Sequence, residues 1–145
     1  MQKPQRLKKG DKIGIIAPAS SPNQKALEKS LAFLTALGLE YEFGKTAHSE
    51  YGYLSATDDL RKADVEDMFR REDIAGIICA CGGYGSARYT DTLDFELIRQ
   101  NPKIFWGYSD ITFLHNALQR HADLVTFYGP MLGSDIGHDT FLEKS

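Results

Sequence analysis

The sequence contains no long hydrophobic run. Its first apolar stretch, from Ile13 to Ala19, is far shorter than the roughly 20 residues that span a bilayer. The basic N-terminus is not followed by an apolar segment that ends in a small-residue cleavage site, as an export signal would be. We therefore expect a soluble, cytoplasmic protein without a membrane partner.

Cysteine is scarce as well. Only Cys79 and Cys81 occur, and their spacing in a predicted strand points the two side chains to opposite faces, which disfavours a mutual disulfide. The favoured interpretation is that both are buried, small hydrophobic residues rather than nucleophiles. The cysteines and the four histidines also lack the spacing of zinc ligands, so no metal site is expected.

Neither sign of charge dominates the sequence. The 17 Lys and Arg residues are scattered among 20 Asp and Glu residues, for a net charge of -3. No basic stripe is present that could neutralise a phosphate backbone, which argues against nucleic acid as a partner.

Apolar runs of strand length alternate with segments of helical periodicity. Strands are predicted at 12–17, 39–43, 74–80, 103–107 and 124–128, each followed by a helical segment except the last. Such alternation predicts an α/β fold with a doubly wound, mostly parallel, flavodoxin-like sheet. This domain is expected to cover residues 1–130, and the weak periodicity of residues 131–145 predicts the start of a linker.

Helix boundaries have recognisable signals. Ser20 or Ser21, followed by Pro22, is the candidate cap of the first helix, and Gly38 is expected to end it. Thr57 is predicted to cap the second helix, and Asp94 a shorter one further along the chain.

Ser109 lies at the junction between a predicted strand and a predicted helix. In a nucleophile elbow, that junction is a sharp turn that exposes the hydroxyl and aims backbone N–H groups at the reacting carbonyl. The match to the elbow pattern is partial, because Ile111 stands where a small residue is usual. The alternative is that Ser109 or Asp110 merely caps the helix.

A glycine-rich turn, Gly82-Gly83-Tyr84-Gly85, follows the most apolar predicted strand. Glycines there permit positive φ and close approach of the backbone to a bound group. The turn could cradle a phosphate, donate an N–H to an oxyanion hole, or be a turn without further function. Its spacing is that of neither a P-loop nor a dinucleotide fingerprint.

A serine nucleophile needs a general base, and none of the four histidines is a convincing one. His115 follows Ser109 by six residues on the same predicted helix, about 9 Å along the axis and therefore out of hydrogen-bond reach. His121 is placed at the helix C-terminus, His48 in a loop, and His138 in the predicted linker.

Several segments, in order along the chain, resemble the LD-carboxypeptidase family, which includes muramoyltetrapeptide carboxypeptidases and microcin C self-immunity peptidases. The segments are Gly14–Ser20, Cys81–Gly85, Pro102–Thr112 and Tyr128–Met131. The most specific part is Gly107-Tyr108-Ser109-Asp110-Ile111-Thr112.

The resemblance implies a Ser-Glu-His triad with Ser109 as nucleophile and an oxyanion hole from the backbones of Gly83 and Asp110, with Gly82 and Tyr84 binding substrate. It also implies a triad Glu and His beyond residue 145. The implied reaction removes terminal D-alanine from cytoplasmic murein peptides in cell-wall recycling, through an acyl-enzyme, without metal or organic cofactor, in a protein that is typically a homodimer. We expect the 145 residues alone to have little or no peptidase activity.

Two alternatives remain open. A microcin-type relative would use the same serine to hydrolyse a peptidyl-nucleotide amide. A non-catalytic flavodoxin-like module would use Gly82 to Gly85 to bind an anionic group. The backbone at Ser109 discriminates between elbow and cap, because an elbow requires an exposed hydroxyl and strained φ/ψ, whereas a capping serine has extended backbone.

Overall fold

A five-stranded parallel sheet organises the chain, seen in a computed structural model that describes residues 1–139. The strands are β1 (Lys12–Ile16), β2 (Glu40–Phe43), β3 (Gly76–Cys79), β4 (Ile104–Gly107) and β5 (Phe127–Tyr128). Their order is β2-β1-β3-β4-β5, with every pairing parallel. The predicted doubly wound, flavodoxin-like α/β fold is confirmed.

Four α-helices connect the strands: α1 (Gln24–Ala36), α2 (Asp58–Arg70), α3 (Phe95–Gln100) and α4 (Thr112–Ala122). Short 3₁₀ turns occupy Ser86–Arg88, Thr90–Thr92 and Ser109–Ile111, and a π-helical turn covers Leu132–Ile136. None of the helices within residues 1–139 has the length and apolar character needed to cross a membrane.

Capping side chains fix the helix starts, and one of the predictions about them is wrong. The cap of α1 is Asn23, whose side chain accepts a hydrogen bond from the Ala26 N–H at 3.0 Å, rather than Ser20 or Ser21. The caps predicted for the later helices are confirmed, because Thr57 and Asp94 each accept an N–H from three residues further on.

The core has one apolar cluster on each face of the sheet. Helices α2, α3 and α4 cover one face through residues such as Phe69, Ile98 and Leu118, which are fully buried. On the other face, α1 packs Leu27 and Leu34 against the strand β1. The chain changes faces because it runs from β1 outward to β2 and then returns past β1 to β3.

Both cysteines are buried and free, as the sequence predicts. Burial raises the pKa of the Cys81 thiol to about 12, and that of Cys79 rises as well, because a thiolate is poorly solvated in the core. Both thiols therefore stay protonated at neutral pH, which argues against a nucleophilic role.

Residues 131–137 pack onto the domain, although weak periodicity predicts a linker there. Leu132 and Ile136 are buried beside α1, and Gly137 lies so close to α1 that a side chain would overlap the Ala26 carbonyl. The packed body thus extends beyond Pro130. The predicted linker residues 140–145 lie outside the described residues.

Candidate active site

Ser109 follows β4 at the carboxyl edge of the sheet and has a strained backbone. Its φ is +62°, and only one other described non-glycine residue, Asp123, has a positive φ. Such a left-handed conformation costs an L-residue about 1–2 kcal/mol. The side chain is exposed, and its hydroxyl makes no hydrogen bond within residues 1–139.

The helix-cap interpretation of this position is wrong. The 3₁₀ turn that begins at Ser109 has no side-chain cap, nor has α4 behind it. The Asp110 carboxylate does not cap the helix either, because it accepts a hydrogen bond from another loop, at the Ser86 N–H. Positive φ and an exposed hydroxyl are instead the two features required of an elbow.

The glycine turn lies directly against Ser109, because β3 and β4 are parallel neighbours and their carboxyl ends meet at one edge. A Cβ added to Gly82 would lie 3.3 Å from the Ser109 Cβ, 3.4 Å from its Oγ and 3.5 Å from the Asp110 nitrogen. A larger residue at 82 would therefore occupy the space beside the hydroxyl. Gly83 and Gly85 have φ of +113° and +99°, which glycine adopts without strain.

Two backbone N–H groups at this edge have no acceptor. Neither the N–H of Gly83 nor that of Asp110 donates to any atom of the described residues. Donors of this kind next to a nucleophile can stabilise the oxyanion of a tetrahedral intermediate. They are the two groups that the family resemblance implies for the oxyanion hole.

Ser20 braces the glycine turn from the loop after β1. Its N–H donates to the Gly82 carbonyl at 3.1 Å, and its Oγ accepts the Tyr84 N–H, also at 3.1 Å. A side chain at Gly83 would overlap the Ser20 hydroxyl. This role has no local sequence signal, because a serine before Pro22 is typical of a helix cap and only the strand order brings Ser20 close to Gly83.

The aromatic side chains around the edge differ in exposure. Tyr84, predicted to bind substrate, is 63% exposed, and Tyr128 is 71% exposed. Tyr108 is half-buried and donates its hydroxyl to Asp135 Oδ1 at 2.9 Å, and this hydrogen bond raises the pKa of Tyr108. The Asp135 carboxylate also accepts the Met131 N–H, which ties the elbow to the π-helical turn.

His115 is occupied by structural hydrogen bonds. Its Nε2 lies 2.8 Å from the Gly107 carbonyl, which can only accept, so Nε2 carries the proton. Its Nδ1 lies 2.7 Å from Thr126 Oγ1, and burial lowers the pKa of the ring. With both nitrogens engaged, His115 is not available to take a proton from Ser109.

The other three histidines are not bonded to Ser109 either. His48 pairs with Gln24, His121 packs against Phe95, and His138 is exposed. Within residues 1–139, no histidine hydrogen-bonds to Ser109. In the same part of the chain, no group of three or more His, Cys, Asp or Glu side chains could hold a metal ion.

Family models and curated proteins that resemble this chain point to the same family. A family model described as the LD-carboxypeptidase N-terminal domain matches residues 13–129. A relative from Bacillus subtilis, the "Probable murein peptide carboxypeptidase", is 53% identical over 137 residues, which cover 94% of this chain and 43% of that protein.

Solved structures agree in fold. A MccF-like protein from Bacillus anthracis has a TM-score of 0.89 at 36% identity, over 94% of this chain and 42% of that one. MccF, the microcin C7 self-immunity protein known from Escherichia coli, has a TM-score of 0.88 at 30% identity in a complex with glutamyl sulfamoyl guanosine, over 97% of this chain and 44% of that one. Another MccF structure is an active-site mutant in which a serine, an asparagine and a lysine are replaced by alanine. The chain spans less than half the length of each of these relatives.

Proposed function

The chain belongs to the LD-carboxypeptidase family, and we propose that it carries the nucleophile and the oxyanion hole of a serine peptidase that releases terminal D-alanine from murein tetrapeptides. The observation that carries the proposal is the strained backbone at Ser109, which has φ of +62° and an exposed hydroxyl against the glycine turn. The N–H of Gly83, in that turn, and the N–H of Asp110, the next residue, have no acceptor in the described chain. A structural serine would gain nothing from that strain.

In the proposed reaction, Ser109 Oγ attacks the carbonyl carbon of the bond to D-alanine. The carbonyl oxygen becomes an oxyanion, which accepts hydrogen bonds from the N–H groups of Gly83 and Asp110. The general base that takes the Ser109 proton gives it to the D-alanine nitrogen as the C–N bond breaks, which releases D-alanine and leaves an acyl-Ser109 ester. Water then hydrolyses this ester and restores the Ser109 hydroxyl.

Gly82 and Tyr84 are proposed to contact the substrate. Gly82 keeps the space beside the hydroxyl free of a side chain, which a peptide backbone needs for close approach. Tyr84 offers a large exposed ring at the same turn.

The general base and the carboxylate that orients it are proposed to come from outside residues 1–139, as a histidine and a glutamate. Two observations support this. No histidine of the described chain hydrogen-bonds to Ser109, and the chain covers 43% of its Bacillus subtilis relative. Without a base, a serine hydroxyl is a weak nucleophile, so residues 1–145 alone should turn over little substrate.

The name of the Bacillus subtilis relative supports murein peptides as the substrate class. We further propose that the complete protein acts in the cytoplasm in cell-wall recycling, as a homodimer. The domain organisation belongs to the same proposal: the nucleophile domain runs past Pro130 to include the packed turn at Leu132–Ile136, and a linker follows that turn.

The test measures D-alanine release from a murein tetrapeptide by the complete gene product that contains this chain, and by residues 1–145 alone. Ser109→Ala should lower kcat of the complete product by about 10⁴-fold or more. Ser30→Ala is the matched control, because Ser30 is a buried serine on α1 whose hydroxyl bonds the Leu27 carbonyl and no other atom of residues 1–139. Equal release by the wild type and Ser109→Ala would show that the nucleophile is misassigned.

A second candidate is the microcin-type reaction, favoured by the likeness to MccF in complex with glutamyl sulfamoyl guanosine. The same serine and oxyanion hole would hydrolyse a peptidyl-nucleotide amide. Measuring kcat/KM for a murein tetrapeptide and for an aminoacyl sulfamoyl nucleoside with one preparation separates the two, and a higher value for the nucleoside would favour this candidate.

A further inference from the structure

We propose that Ser86 is a positioning residue that sets the spacing between the two oxyanion-hole donors, an inference that rests on the proposed function of Ser109. The donors belong to different loops, since Gly83 follows β3 and Asp110 follows β4. Strand pairing between β3 and β4 ends at Ile78 and Trp106, before either loop begins. Some other contact must therefore hold the two N–H groups at a fixed separation.

Ser86 supplies that contact with two hydrogen bonds to a single residue. Its N–H donates to Asp110 Oδ2 at 2.9 Å, and its Oγ donates to the Asp110 carbonyl at 2.7 Å. One bond fixes the side chain of Asp110 and the other fixes its carbonyl. Together they hold the backbone of Asp110 at a defined position relative to the glycine turn.

The Ser86 end of this pair is itself immobilised. Ser86 is fully buried, and Gly85 before it has φ of +99°. A side chain at Gly85 would lie 2.6 Å from Leu54 Cδ2 and 2.9 Å from Arg61 Nη1, so the turn is packed closely against its surroundings. A rigid turn can impose a position on Asp110, whereas a mobile one could not.

The contact matters for catalysis because donors must be aimed at the oxyanion before it forms. Removing one oxyanion-hole donor typically lowers kcat by about 10²–10³-fold. Losing the Ser86 hydroxyl displaces Asp110 without removing its N–H, so we expect a smaller loss, of about 10- to 100-fold in kcat. KM should change little, because the oxyanion is absent from bound substrate.

The experiment compares Ser86→Ala with Ser30→Ala in the complete gene product, with D-alanine release as the readout and Ser109→Ala as the blank. Both Ser86 and Ser30 are buried serines whose hydroxyls donate to a backbone carbonyl, but Ser30 lies on α1, outside the two loops. Ser86→Ala should lower kcat by about 10- to 100-fold with KM within about threefold of the wild type. Its affinity for a phosphonate analogue of the tetrahedral intermediate should fall in proportion to kcat/KM, which a purely structural role would not produce.

Asp110→Asn is the second variant, in case Ser86→Ala fails to fold. It keeps the backbone N–H and the side-chain size but weakens the bond from the Ser86 N–H, since a carboxylate is the stronger acceptor. We expect about a tenfold loss in kcat. A kcat within about twofold of the wild type in every folded variant overturns the inference while the proposed function stands. If Ser109→Ala still releases D-alanine, the proposed function fails and the inference falls with it.

Discussion

Backbone strain at Ser109 can be measured by replacing the residue with glycine. Glycine adopts positive φ without steric cost, so Ser109→Gly should relieve the about 1–2 kcal/mol of left-handed strain. Glycine also loses more conformational entropy on folding than other residues do, which offsets this relief by about 0.5–1 kcal/mol. The Ser109 hydroxyl makes no hydrogen bond in the described chain, so its removal should change the free energy of unfolding little. We expect a net rise in the free energy of unfolding, centred on about 0.75 kcal/mol within a range of about 0–1.5 kcal/mol.

The assay is urea unfolding of residues 1–145 followed by fluorescence of Trp106, the only tryptophan. This residue is half-buried, stacks on Phe127 and donates its Nε1–H to the Pro130 carbonyl at 2.8 Å, so unfolding will change its emission. Ser109→Ala serves as the reference, since alanine keeps the strain and lacks the hydroxyl. The order of stability should be Ser109→Gly above Ser109→Ala.

A glycine substitution at an ordinary helical position provides the control. Ala32 is exposed in the middle of α1, where Ala32→Gly should cost about 1 kcal/mol. The effect of an alanine-to-glycine change should therefore reverse sign between positions 32 and 109. If Ser109→Gly is no more stable than Ser109→Ala, the strain is absent and the main support for the elbow is lost.

Two further predictions concern the turn and the buried histidine. Gly83→Ala should cost about 2–4 kcal/mol, because it adds positive-φ strain to an overlap with the Ser20 hydroxyl. Gly10→Ala, with φ of +89° and open space around it, should cost only about 1–2 kcal/mol in the same urea assay, and equal costs would contradict the overlap. Burial lowers the pKa of His115 in the folded chain. As pH falls, this imidazole is therefore protonated at a higher pH in the unfolded chain than in the folded one, so the free energy of unfolding should decline from pH 7 toward pH 5. His115→Gln should make this decline smaller, as measured by the midpoints of urea unfolding between pH 7 and pH 5. An equally steep decline in the variant would mean that groups other than His115 cause it.

The strands and helices could be predicted because their signals are local. A run such as Ile74 to Ala80 can be buried on both faces only in a parallel sheet between helices, and Thr57 and Asp94 cap helices through atoms three residues away. Such signals do not depend on knowing the rest of the fold.

The errors arose where distant contacts decide the structure. Ser20 has the chemistry of a helix cap, but its hydroxyl bonds residue 84, which strand order alone brings near, and Asn23 caps α1 instead. The π-helical turn at 132–136 lacks a regular apolar period, and its burial depends on α1. Gly137 was the one local indication of this packing, because the backbone at 137 lies so close to the Ala26 carbonyl of α1 that only glycine fits.

The candidate site could be predicted only in part, for the same reason. By pattern, Ser109 fits both a helix cap and a nucleophile elbow, and the distinction lies in one backbone angle that residue types do not determine. The position of Gly82 against Ser109 follows from the pairing of β3 with β4. Ser86 carries no sequence signal at all, because its partner lies 24 residues away.

A strained residue persists only where its neighbours leave it no alternative, and Ser109 is held from three sides. Before it, Gly107 packs against Ile111, and a side chain there would lie 2.9 Å from Ile111 Cγ2. Beside it, the Tyr108 hydroxyl is bonded to Asp135; after it, Asp110 is held by the two Ser86 bonds. The last two contacts come from other loops, at Asp135 and Ser86, so relaxing φ at 109 would strain at least one of them. The strain is therefore supported by the surrounding fold, which keeps the hydroxyl exposed at the carboxyl edge of the sheet.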